Sequence, residues 1–332
     1  MKKVFGMNGK GGRAAAAAAL AFLLLCGAFW GRNALAAGKK KNAAAGEATG
    51  TESEESAVKG PGTENEESAG GWEIHLLLDS AKVLDRNGEL TEEIRSSFDI
   101  RDKIKTFDVL YVETAGRTFS GEGWYNRIRM QEGKEKKGFE LTYKKRYPMD
   151  NEDVAAAMRK AAEDGFDLQG GIWETEIEWT GSGMTLSVTA EGKAPAEASA
   201  AELSPEEAAE MLGGQMPDLE KNWKTQGWGA EAMKKARTAG PVRFRRYTGT
   251  CQGREVRIEI WPVPDQVSGE VNCIAELSFK CGDYADAAAG RKETAEALEK
   301  QGLLVKGDAL KTGRILDAFL GARAGADAGA GL

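Results

Sequence analysis

Strand after strand in this chain sets an apolar face against a charged one, and that alternation restricts the fold more than any other feature. Segments at 73–80, 108–114, 124–131, 139–146, 172–180, 184–190, 242–250, 255–263 and 271–280 nearly all alternate with period two. Turn residues separate them, and TGSG at 180–183 and CQG at 251–253 are hairpin signals. In GWEIHLLLDS the period puts Glu73, His75, Leu77 and Asp79 on one face and Ile74, Leu76 and Leu78 on the other. His75 is the only histidine in the chain.

The polar faces carry an unusual mixture. Arg127 and Arg129 share a face, as do Glu140, Thr142, Lys144 and Arg146 on the next strand. Glu174, Glu176 and Glu178 line up, and so do Arg243 with Arg245, Glu255 with Arg257 and Glu259, and Glu276 with Ser278 and Lys280. Like charges two residues apart repel unless a ligand or an opposite charge lies between them. A barrel whose lumen gathers bases on one wall and glutamates on another would supply both, with guanidinium forks for phosphate and carboxylates for a hard cation. Solvated outer faces of a sandwich are the plainer alternative.

Helical signals are fewer and sharper. MDNEDVAAAMRKAAEDG offers Asp150 as N-cap and Gly165 as stop, and SPEEAAEMLGG has Ser204 as N-cap, Pro205 in the first turn, Glu207 closing a capping box and Gly213 as its end. A long helix is expected over 283–301 and a shorter one over 308–320. The class is α+β: an antiparallel β-barrel of about eight strands with flanking helices and a helical insertion at about 191–240.

Both ends differ from this core. Basic residues, an apolar run from Ala14 to Trp30 and the small-residue site at Ala34 and Ala36 have the order of a secretory signal peptide over 1–36. Cleavage is expected after Ala36, with a periplasmic or extracellular product. An uncleaved anchor or lipidation at Cys26 is the lesser reading, and the only membrane attachment expected. Residues 37–71 lack aromatic residues and read as a disordered tether, residues 72–320 as the folded domain, and 321–332 as a flexible tail. The net charge of −7 argues against nonspecific nucleic-acid binding. In a mature exported chain Cys251, Cys273 and Cys281 would remain; a Cys251–Cys281 bridge and a buried free Cys273 are the expectation.

The run VLYVETAGRTFSGEGWYNRIRMQEGKEKKGFELTYKKR resembles the middle of CYTH domains, the triphosphate tunnel metalloenzymes. In that family a Tyr-x-Asp-Thr strand precedes an Arg-x-Arg strand and a Leu-Thr-x-Lys strand; here 111–114, 127–129 and 141–144 follow in that order. VRFRRY, REVRIEIW and CIAELSFK before a long helix resemble the later strands. The resemblance spans about 72–312 and implies an eight-stranded tunnel that binds a triphosphate with Mg²⁺ or Mn²⁺. It implies Arg127, Arg129, Lys144, Arg243 and Arg245 as phosphate ligands. It implies Glu73, Glu174, Glu176, Glu259 and Glu276 as metal-side carboxylates.

Three departures bear on activity. The family's opening Glu-x-Glu-x-Lys is here Glu73-Ile74-His75-Leu76-Leu77, Glu113 stands in place of Asp, and the 181–240 segment is long. Leu77 cannot contact phosphate, and His75 suits a softer metal than Mg²⁺. The expected function is therefore an exported, catalytically degenerate barrel that binds a polyphosphate-like anion or an envelope partner. The alternatives are a metal-dependent triphosphatase and, more weakly, an apolar-lumen barrel for a lipid or other small molecule.

Overall fold

The computed structural model describes residues 70–322 except 102, 134–137, 182, 197–198, 266–267 and 308–310. The expected signal peptide, nearly all of the tether, and the tail beyond 322 lie outside the described residues. Among the described residues nine strands form: β1 (Trp72–Leu78), β2 (Lys105–Thr114), β3 (Trp124–Gln131), β4 (Gly138–Pro148), β5 (Glu174–Trp179), β6 (Met184–Pro195), β7 (Ala236–Cys251), β8 (Arg254–Pro264) and β9 (Val271–Cys281). They close in the order β1-β5-β6-β4-β3-β2-β7-β8-β9. Closure leaves no free edge, so each strand's backbone groups find partners on both sides.

Every neighbouring pair is antiparallel except β1 and β5, which pair in parallel from Trp72↔Ile177 to Ile74↔Trp179. That contact seals the barrel, and it makes nine mixed strands of the roughly eight antiparallel ones expected. The hairpins at 180–183 and 251–253 form as read; Gly253 takes φ 76°, which a turn of this kind requires.

Helices flank the barrel, and all but the last cover its outer wall. The first four are α1 (Ser80–Val83), α2 (Glu92–Ser97), α3 (Thr118–Gly121) and α4 (Val154–Glu163). The insertion supplies α5 (Pro205–Gln215), α6 (Asp218–Lys221) and α7 (Trp228–Met233), and the C-terminal part supplies α8 (Tyr284–Lys300) and α9 (Lys311–Leu320). Ser204 and Glu207 make the predicted capping box on α5, although the helix continues past Gly213 to Gln215. Asp153, not Asp150, caps α4: Asn151 adopts φ 54° and breaks the helix there. Among the described residues no helix is long and apolar enough to cross a membrane.

Two apolar clusters divide the interior. The larger lies between barrel and outer helices and takes Ile74, Leu76 and Leu78 of β1, Leu141 and Tyr143 of β4, Leu186 and Val188 of β6 and Leu277 and Phe279 of β9. The smaller joins Phe107, Val109 and Tyr111 of β2, Val242 and Phe244 of β7, Trp261 and Val263 of β8 and Ile274 of β9 around Ile315 and Leu316 of α9. These strand residues alternate with those of the outer cluster. The amphipathic α9 is therefore seated in the bore, on the β2–β7–β8–β9 side.

Cys251, Cys273 and Cys281 are free. Cys251 pairs across the sheet with Arg254 of β8, and β8 separates it from β9, where Cys281 ends the strand. Two strand spacings of about 4.8 Å put the thiols beyond disulfide reach, so the expected bridge is not made.

Candidate functional site

Opposite α9 the bore stays open. A cavity of about 980 Å³ is lined by His75 of β1, Tyr125 of β3, Arg146 of β4, Glu178 of β5 and Glu276 of β9, with Lys311 and Thr312 of α9. It also runs over the barrel rim to Lys145, Tyr147 and Trp223 on the outer wall. Most of the charged residues that the alternation grouped do meet in the bore, but they meet one another in pairs.

Arg129 is held by Glu140, with Nε to Oε2 at 2.8 Å. Lys144 and Arg146 share Glu178, at 2.6 Å and 3.1 Å. Burial resists ionisation of Glu178, but Arg146 and Lys144 more than offset it and hold the carboxyl well below its ordinary range. Glu176 pairs with Lys280. Arg246 binds Glu259 at 2.7 Å and lies over the Phe107 ring.

The centre of the network is Lys311. Its Nζ bonds to Glu276 and lies 3.3 Å from Glu259 Oε2. His75 Nδ1 reaches Glu276 Oε1 at 2.9 Å, and its Nε2 lies 3.6 Å from Glu73. Burial opposes the imidazolium, yet Glu276 and Glu73 together outweigh it and raise the His75 pKa to about 9. Burial likewise opposes the Glu259 carboxylate, but Lys311 and Arg246 overcome it and bring the group down to about 2. The site is thus a network of acid–base pairs that neutralise one another.

Arg127 differs. Its Nη2 donates to Thr142 Oγ1 at 3.1 Å, its Nε is buried without a partner, and no carboxylate pairs with it among the described residues. Burial, and then the adjacent Arg129, disfavour its charge. Arg127 thus keeps a donor unfilled inside the bore.

Arg243 and Arg245 do not reach the bore. Arg243 lies outside, bidentate to Asp108 at 2.8 Å and 3.0 Å, and Arg245 bonds to the Gly88 carbonyl and Glu89. Phe244 takes the inward position, stacked between Phe107 and Trp261 with centroids 4.8 Å and 3.9 Å away. Val242 and Phe244 fill the inward positions against the apolar side of α9, and Arg246 becomes the basic residue of β7 in the bore.

The carboxylates expected on the metal side do not fit a divalent cation. Among the described residues no group of three or more His, Cys, Asp or Glu is arranged to hold a metal. Glu174 is exposed. Glu259 already accepts from Arg246, Trp261 Nε1 and Lys311, and Glu276 from His75 and Lys311. The ammonium of Lys311 stands where a shared cation would have to lie. Glu113 has a structural role, since its carboxylate accepts from the backbone N–H groups of Thr114, Phe119 and Ser120 and ties β2 to α3.

Sequence reading missed Lys311 and its role. A lone lysine opening a C-terminal helix has no motif around it, and only the seating of α9 gives it partners. Arg246 had a weak signal, as the third base of VRFRRY.

Fold and site together define a closed barrel with a charge-lined bore partly filled by its own C-terminal helix. No family model matches the sequence, and no curated protein matches it. Among solved structures the chain is similar to HpAC1 from Hippeastrum, assigned as an adenylyl cyclase with a dominant triphosphatase activity. That similarity is 12% identity and a TM-score of 0.41 over 71% of this chain and 90% of that one. It is also similar to a protein from Bacillus halodurans assigned as an adenylate cyclase, at 11% identity and TM-score 0.40 over 73% and 96% of the two chains. The PH1819 protein from Pyrococcus horikoshii follows at 11%, 0.37, 72% and 97%. These likenesses are distant.

Proposed function

We propose that this chain is a noncatalytic binding barrel of the triphosphate-tunnel type, which takes a polyphosphate-like anion at Arg127 without a divalent metal. The observation that carries the reading is Lys311, whose ammonium is bonded to both Glu259 and Glu276. A cation built into the chain occupies the carboxylates that metal-dependent phosphoryl chemistry would need. Leu77 in place of a basic residue points the same way. The unfilled Nε of Arg127 favours an anion and keeps a triphosphatase as the second reading.

The test is phosphate release from tripolyphosphate and ATP by the full chain with Mg²⁺ or Mn²⁺. The expected result is no turnover, with tripolyphosphate raising the melting temperature by an amount that Arg127→Ala abolishes. Metal-dependent turnover that disappears in Arg127→Ala would establish the triphosphatase instead. We also propose export, which N-terminal sequencing of protein recovered outside the cytoplasm checks: the first residue should be Ala37.

A further inference from the structure

The outer face of β4 carries a lysine in a row that is otherwise apolar or aromatic. Phe139, Leu141, Tyr143 and Tyr147 are buried on that face, and Lys145 among them is only 6% exposed. Its Nζ lies 4.1 Å from the Tyr147 ring centroid and 5.0 Å from that of Trp223. Among the described residues its one hydrogen bond is long, 3.4 Å to the Arg146 carbonyl.

Among the described residues Lys145 has no ion-pair partner, and the acids nearest to it are engaged. Asp164 of α4 accepts from Tyr147 Oη at 2.9 Å and pairs with Lys160. Glu122, after α3, accepts from Trp223 Nε1 at 3.3 Å and pairs with Lys224 at 2.7 Å. The loop beside the amine is shaped to it: Gly123 has φ 76°, and a Cβ there would lie 2.9 Å from the Arg146 carbonyl oxygen and 3.0 Å from Lys145 Nζ. A buried ammonium without a counterion is costly, and contacts with aromatic faces recover only part of that cost.

Lys145 lines the cavity where it crosses the rim, beside Tyr147, Trp223, Met149 and Met184. We propose that Lys145 anchors a second ligand site, outside the bore, for a small organic monoanion: a carboxylate pairs with the amine while an apolar body lies against Tyr147 and Trp223. A single negative charge suits one lone amine, and a polyanion would be repelled by Glu122 and Asp164. The site stands independently of the bore reading. Burial lowers the Lys145 pKa to about 8 against the pull of Asp164 and Glu122, with Lys160 and Lys224 adding to the decrease, so the anion should be released as pH rises through that value.

The test is calorimetric titration of the full chain with 3-phenylpropionate and hexanoate, with tripolyphosphate as competitor. Saturable 3-phenylpropionate binding at pH 7 is expected, at least tenfold weaker in Lys145→Met, unchanged in Arg127→Ala and undisturbed by tripolyphosphate. Wild-type affinity should also fall several-fold between pH 7 and pH 9, a readout that needs no variant to fold. Equal affinity in Lys145→Met, affinity independent of pH, displacement by tripolyphosphate, or no saturable binding of either acid would each overturn the second site.

Discussion

The bore and the outer wall treat buried charge in opposite ways. In the bore, Lys311, Arg246, Lys144 and Arg146 each sit against a glutamate. Between the outer wall and the insertion two buried groups stand apart among the described residues: Lys145 without a carboxylate, and Glu220, whose carboxyl accepts from Asn126 Nδ2 at 2.7 Å and keeps its other oxygen unpartnered. Pairing keeps groups ionised and chemically occupied. Isolation shifts a group toward its neutral form, as burial does to Glu220 by raising its pKa to about 8. The difference teaches that a bore rich in ionisable residues need not be reactive, while a single lysine in an aromatic wall can be available.

The largest test of that contrast is Lys311→Ala, which leaves Glu276 and Glu259 short of a cation. Removing one member of a buried network should cost on the order of 3 kcal/mol in urea unfolding. Mn²⁺ should then stabilise the variant more than the wild type, because both carboxylates lose the ammonium they share, while Arg246 and His75 stay on them. An unchanged unfolding midpoint would mean that the pairs do not hold α9 in place.

Glu220→Gln probes the isolated side. Wild-type Glu220 keeps its proton in the fold to about pH 8 but loses it near 4.5 when unfolded. The folded state therefore binds the extra proton between those values, and stability falls as pH rises across that window, with a limiting slope of about 1.4 kcal/mol per pH unit. Urea midpoints at pH 5 and pH 8 should differ by less in the glutamine variant. Equal slopes in both proteins would remove Glu220 as the cause.

The smallest effect is expected from His75→Gln. The folded pKa of about 9 lies above the ordinary 6.5, so the histidine's contribution is complete below about 6.5 and is lost as pH rises through 9. About 1 kcal/mol at pH 7 that vanishes by pH 10 would match its partly screened pairing with Glu276 and Glu73. A difference that persists at pH 10 would assign His75 a packing role instead.

Much of this architecture was legible as alternation. All nine strands appear where the period-two segments lie; β2, β4, β6 and β7 run longer because pairing continues beyond the alternating core, while β1 and β5 stop short of the ends expected. The meander of β7, β8 and β9 followed from its turns. Capping chemistry placed α5 well, since Ser204, Pro205 and Glu207 act within one turn and need no distant partner. It failed at Asp150, where the chain bends at Asn151 and leaves the cap to Asp153.

Alternation sorts a strand into two faces without saying which one looks inward. On β1, β3, β4 and β5 the charged face is the inner one, and Arg127, Arg129, Lys144 and the glutamates of β5 were grouped accordingly. On β7 the apolar Val242 and Phe244 turn inward, carrying Arg243 and Arg245 outside. The cause is α9, whose burial of Ile315 and Leu316 makes that side of the bore apolar.

By itself the sequence determined the strands, their two faces and the caps, because hydrophobic period and local hydrogen bonds act within a few residues. Only the tertiary structure decided which face becomes the bore, that Lys311 neutralises Glu259 and Glu276, and that Lys145 is left alone. Each depends on which distant charges and apolar surfaces share one low-dielectric space, and no local pattern carries that information.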